Sequence, residues 1–204
     1  MRLPDFAAAQ AAGKLLFVDV AADTLLRLTR FPATEPHWGK GVKYRFDDPA
    51  ATFVVTYAAQ RLEVAFAETV LHEQGSFTDE HWVIEQVCVD ERHIVYFDRT
   101  SGSLRLVNLT GKALKLLGLN NDLCASDDYT ESMQVSAAMY EQVPDADGVV
   151  YVSRQINTEF AMVLFERSQL QRQPGSKPLT AHSDYSELLE MFAVELLPST
   201  ATPP

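Results

Sequence analysis

The sequence predicts an α+β fold, a largely antiparallel central sheet with helices packed on its faces. Strand-like runs outnumber helical ones, their order lacks a sustained strand–helix alternation, and no internal repeat divides the chain. At 204 residues, 47% hydrophobic and 22% charged, the chain has the length of one domain with modest extensions and enough apolar residues for a core.

Along the chain, Asp5 to Ala12 is Ala-rich and reads as a short helix. Thr24 to Thr29 (TLLRLT) reads as the first strand. Phe31 to Lys43 holds Pro32, Pro36, Gly39 and Gly41, too many breakers for a regular element, and is expected to be a long loop. Thr52 to Ala58, rich in Val, Thr, Phe and Tyr, predicts a strand. Gln60 to His72 predicts a helix, because Leu62, Phe66 and Val70 recur every four residues. Trp82 to Val89, His93 to Asp98 and Leu104 to Leu109 read as strands. Thr110 to Leu117 reads as a helix stopped by Gly118. Asp128 to Gln142 predicts a second long helix, opened by Asp128 with Glu131 three residues on. Val149 to Val152 and Phe160 to Phe165 complete the strands. Gln171 to Pro178 reads as a polar linker, Asp184 to Leu197 as a terminal amphipathic helix, and Pro198 to Pro204 as a disordered tail.

The net charge of -11 argues against a nucleic-acid surface, which needs a basic stripe. It suits a basic protein partner. Cys88 and Cys124 stand far apart in no metal-ligand spacing, as expected of free thiols in a reducing cytoplasm. The apolar run Leu15 to Val18 is cut by Asp19, and Asp5 stands where a secretion signal is basic. No stretch approaches the ~18 apolar residues of a membrane span. A cytoplasmic protein is expected. The histidines form no zinc spacing, so no metal is expected, and neither a dinucleotide fingerprint, a phosphate-binding loop nor a nucleophile elbow is present.

Five residues are candidates for chemistry. Arg45 lies in a loop closing into a turn, YRFDDP; its fork of donors suits phosphate, or it pairs with Asp47 or Asp48. Arg27, in Leu26-Arg27-Leu28, faces away from the leucines, toward solvent or a site; Arg30 is less well placed. Glu68 shares a helix stripe with Arg61 and His72. That stripe is either the wet side or, since Val64 and Leu71 make the helix apolar nearly all round, a cleft-facing one. Tyr57 ends a strand and reads, taken by itself, as a core residue. Ser153 ends the strand Val149 to Val152 as a turn residue or a ligand.

The segments YRFDDP (Tyr44 to Pro49), TYAAQRLEVAFAET (Thr56 to Thr69) and DGVVYVSR (Asp147 to Arg154) resemble those of the RES domain family, over Leu25 to Ser168. The resemblance implies an ADP-ribosyltransferase-like fold, with an N-terminal extension at 1–22, the RES domain at 23–170, a linker and C-terminal helix at 171–197, and the tail beyond. It implies cleavage of the nicotinamide–ribose bond of NAD by an NAD phosphorylase or glycohydrolase. Inorganic phosphate, water or a protein side chain would be the acceptor. By the same resemblance Glu68 supports glycosidic cleavage, Arg45 and Arg27 hold phosphate groups, Tyr57 encloses the nicotinamide riboside, and Ser153 is a ligand to phosphate or ribose, with Arg154 a weaker candidate. It further implies a bacterial toxin whose partner is a helix-turn-helix, Xre-type antitoxin. The alternatives are a protein ADP-ribosyltransferase or a non-catalytic nucleotide-binding module. The C-terminal helix, outside the common core, is a candidate for homo-oligomer formation or partner docking.

Overall fold

The computed structural model describes residues 3–100 and 102–199. Its strands are β1 (Phe17–Val20), β2 (Leu26–Thr29), β3 (Val55–Ala59), β4 (Ser76–Thr78), β5 (His81–Glu85), β6 (His93–Asp98), β7 (Leu104–Leu109), β8 (Gly148–Val152), β9 (Phe160–Phe165), β10 (Gln171–Arg172), β11 (Lys177–Pro178) and β12 (Val194–Leu197). Nine form one sheet in the order β1-β7-β8-β9-β3-β2-β6-β10, with β11 also on β6; β12, β5 and β4 form a small second sheet. In the large sheet only β7 and β8 pair in parallel. The fold is the expected α+β one.

The helices are α1 (Phe6–Ala11), α2 (Leu62–Phe66, continued through a π-helical turn at Ala67–Leu71 to His72–Gln74), α3 (Val87–Asp90), α4 (Gly111–Leu116), α5 (Asp122–Ala125), α6 (Thr130–Gln142) and α7 (Tyr185–Met191). They bury one face of the large sheet. On that side Phe46, Phe66, Val135 and Met139 pack with Val163 and Phe165. The opposite face closes on itself: Val20, Leu104, Leu106, Val150, Met162, Leu164, Val95 and Phe97 form a second core drawn from the strands. β9 is therefore buried on both faces, which is why its sequence is a continuous apolar run rather than an alternating one. Gly148 lets β8 approach it; a Cβ there would stand 2.2 Å from the carbonyl oxygen of Val163.

Several expectations are corrected. β1 precedes the strand expected to be first, and β4 and α5 arise in stretches to which no element was assigned. Val87 to Asp90, expected to extend a strand, turns into α3. The expected linker forms β10 and β11 on β6. The expected terminal helix stops at Met191, reverses through Ala193 at φ 48°, and returns as β12 alongside β5. Asp128 bonds the Thr130 amide at 2.9 Å instead of capping as a box with Glu131. The tail read from Pro198 to Pro204 lies outside the described residues beyond Ser199.

Candidate active site

Glu68 sits on the π-helical turn of α2. Leu62, Val64, Ala65, Phe66, Ala67, Val70 and Leu71 around it are buried, so the helix has almost no wet side. The extra residue that a π turn inserts rotates the remainder of the helix, a device common at functional sites. Glu68 is half-buried and lines a cavity of about 440 Å³. Its Oε1 accepts a 2.6 Å hydrogen bond from the Ser153 hydroxyl. No other hydrogen bond or ion pair engages the carboxylate among the described residues.

Ser153 is wholly buried just past β8. Its Oγ accepts from the amides of Gln155 (3.2 Å) and Ile156 (3.1 Å). A hydroxyl has one proton to give, and Ser153 gives it to Glu68. In this geometry Ser153 stands behind the carboxylate and fixes it.

The turn that carries Arg45 is braced by two aspartates. Asp47 accepts from the amides of Lys43 (3.0 Å) and Tyr44 (2.8 Å), and from the Tyr57 hydroxyl (3.1 Å). Asp48 accepts from the Thr52 hydroxyl and from the amides of Ala50, Thr52 and Phe53. Burial pushes the Asp48 carboxyl up, but these donors together outweigh it and hold it below the usual range. Neither aspartate pairs with Arg45. The arginine is buried, and its Nη1 donates to the carbonyls of Leu123 (3.2 Å) and Ser126 (2.9 Å) around α5. Its guanidinium lies 4.6 Å from the centre of the Tyr129 ring. It thus reaches the cavity as an oriented cation with no ion pair among the described residues.

Tyr57, on β3, lends its half-exposed ring to the cavity. Its hydroxyl accepts from the Phe46 amide (3.0 Å) and donates to Asp47. Burial first, then the charge of Asp47, pushes this phenol well above its ordinary value. The hydroxyl thus pins the Arg45 turn. Arg27, on β2, lines the same cavity but is already matched: Nη1 donates to Thr56 Oγ1 at 2.7 Å, and Nε lies 3.4 Å from the buried carboxylate of Glu35. Arg154 lines the cavity too and is tied to Asp127.

The cavity therefore gathers Arg27, Arg45, Tyr57 and Glu68, with Ser153 in its supporting wall. Sequence reasoning missed Tyr129 beneath Arg45, and Tyr151. Tyr151 is buried against Phe46 at 4.7 Å, and burial followed by the charge of Glu68 pushes its phenol well up. The alternation of β8 held the signal, because Tyr151 and Ser153 are two residues apart on one face. Among the described residues no cluster of three metal-ligating side chains occurs, and no helix is long and apolar enough to cross a membrane.

An α+β domain with a fixed carboxylate and several arginines around one cavity fits the class of nucleotide-acting proteins, and the comparisons narrow it. The RES domain family model matches residues 20–184. The chain belongs to the RES domain family. No curated protein matches it by sequence. Among solved structures it is similar to a chain of the crystal structure of the M. tuberculosis MbcT–MbcA toxin–antitoxin complex. The TM-score is 0.60 and the identity 18%, covering 92% of this chain and 98% of that one; the likeness is one of fold.

Proposed function

We propose that this protein degrades NAD by cleaving the nicotinamide–ribose bond, and that it is the toxin of a bacterial toxin–antitoxin pair. Family membership and the likeness to a chain of a toxin–antitoxin complex support the class. The observation that carries the chemistry is the Glu68 carboxylate, fixed through Oε1 by a buried serine and otherwise unengaged in a cavity lined by arginines.

Nicotinamide leaves as a neutral ring, so no acid is needed to protonate it. The ribose left behind becomes oxocarbenium-like, and a fixed carboxylate stabilises that developing charge. Glu68 takes this role. Ser153 sets its position, so little reorganisation accompanies the reaction. Arg45, oriented by two carbonyls and the Tyr129 ring, binds phosphate oxygens of the dinucleotide, with Arg27 beside it as a partly neutralised second cation. The ring of Tyr57 encloses the riboside. An antitoxin that covers the cavity is the implied partner, and the net charge of -11 suits a basic one.

The test is mass spectrometry of the full chain incubated with NAD and inorganic phosphate. ADP-ribose 1''-phosphate marks a phosphorylase, free ADP-ribose a glycohydrolase, and a modified polypeptide a transferase. Glu68→Gln is expected to slow NAD loss by about 10²–10³ or more while remaining folded. Binding without any product, or unchanged turnover in Glu68→Gln, rejects the proposal.

A further inference from the structure

The cavity has a second charged end, which the chemistry above does not use. Arg92, immediately before β6, lines the cavity at 6% exposure. Its Nε is sealed from solvent and has no hydrogen-bond partner. Its ionic contact to Glu73, Nη2 to Oε2, is 3.7 Å long, beyond hydrogen-bond range. No hydrogen bond among the described residues holds the guanidinium. Arg30, immediately after β2, also lines this end, its Nε 3.4 Å from Glu91. The antiparallel register that sets Thr29 opposite His93 carries on to set Arg30 opposite Arg92.

A guanidinium stays charged in a protein, and burying one with an empty donor beside a like charge is unfavourable. Burial, and then the charge of Arg30, lower Arg92's affinity for its proton, outweighing Glu73 and Glu91. Both carboxylates are partly exposed, with side chains 35% and 52% open, and Glu73 also lines the cavity. A buried, unsatisfied cation on a cavity wall calls for a partner from outside the chain.

We propose that Arg92 and Arg30 form an anion subsite that takes a phosphate group. Tetrahedral phosphate oxygens engage adjacent guanidiniums through paired donors, and a guanidinium held by one long ionic contact has donors left uncommitted for them. Phe31, which follows Arg30, is 70% exposed and lines the same cavity. Its flat apolar face suits a base, so a nucleotide phosphate is favoured over free phosphate. That preference rests on the NAD reading; the anion subsite itself does not.

The experiment titrates inorganic phosphate, nicotinamide riboside and NAD into full-length Glu68→Gln protein, with and without Arg92→Gln, by calorimetry. For a phosphate of the dinucleotide, Arg92→Gln weakens NAD binding by about tenfold or more and leaves nicotinamide riboside binding unchanged. For free phosphate, inorganic phosphate binding falls by that factor and NAD binding holds. The melting temperature is expected to stay level or rise, because an unpaired buried cation is removed. Unchanged affinity for both NAD and phosphate overturns the subsite. Should Arg92→Gln fail to fold, Arg30→Ala decides, with a loss of about threefold or more expected and no loss overturning it. A chain that binds phosphate through Arg92 yet binds no NAD keeps the subsite and sinks the NAD proposal.

Discussion

Arg45 and Arg92 are both buried arginines on the wall of one cavity, and the protein holds them in opposite ways. Arg45 is fixed by two carbonyls and an aromatic ring. Its turn is locked by Asp47 and Asp48, each saturated with amides and hydroxyls. Nearby, Glu68 leans on Ser153, whose own oxygen is held by two amides. At the other end Arg92 keeps an empty Nε and one long ionic contact. The first end has its geometry set before any ligand arrives, which is what stabilising a transition state requires. The second leaves its charge unsatisfied, which is what discriminating binding requires.

The largest effect that could break this contrast is on turnover. Arg45→Ala removes an oriented cation from the pre-set end, one that holds the dinucleotide in register with Glu68 for the transition state as well as binding it, and is expected to slow NAD loss by about 10²–10³, measured as kcat at saturating NAD. The same measurement on Arg92→Gln is expected to show its loss mainly in KM. Were kcat to fall further in Arg92→Gln than in Arg45→Ala, the two ends would have exchanged roles.

The contrast also separates what the sequence made legible from what it hid. β6, β7 and β9 were readable to the residue because each is a run of branched and aromatic residues bounded by polar turns. β1 and β12 are four residues long, each with an acid inside. Pairing with β7 and β5 makes them strands, and pairing is tertiary information. Glu68 was legible in part: a helix apolar nearly all round leaves its carboxylate on a narrow wet stripe or in a cleft, and the family resemblance pointed to the cleft. The role of Ser153 was not, since its partner lies 85 residues away. Arg92 was invisible for the same reason. In Asp90-Glu91-Arg92 it reads as part of a polar turn, and only the packing of β2 and α2 buries it.

A smaller effect sharpens the assignment of Ser153. Ser153→Ala leaves Glu68 in the cavity but frees its Oε1, so kcat is expected to fall by about tenfold with KM for NAD unchanged. A serine that bound phosphate or ribose would give the reverse split, a raised KM with kcat retained. Steady-state kinetics at varied NAD decides between the two.

The smallest effect concerns the bracing itself. Tyr57→Phe removes the acceptor of the Phe46 amide and the donor to Asp47, and is expected to cost about 1 kcal/mol of stability at neutral pH. The size of this effect depends on pH. Burial and the charge of Asp47 raise the Tyr57 phenol in the folded protein, so the unfolded chain loses this proton first as pH climbs past about 10. The stabilisation is full below that pH and drains away above it, as pH approaches the raised folded value. Phenylalanine has no proton to lose. Denaturant unfolding at neutral pH and again above pH ~10 is therefore expected to show the gap between wild type and Tyr57→Phe narrowing on the alkaline side, with Tyr151, raised by burial and Glu68, still drawing both proteins down. A gap that widens with pH would mean that Tyr57 is ionised in the fold and that the Arg45 turn is braced by something other than its hydroxyl.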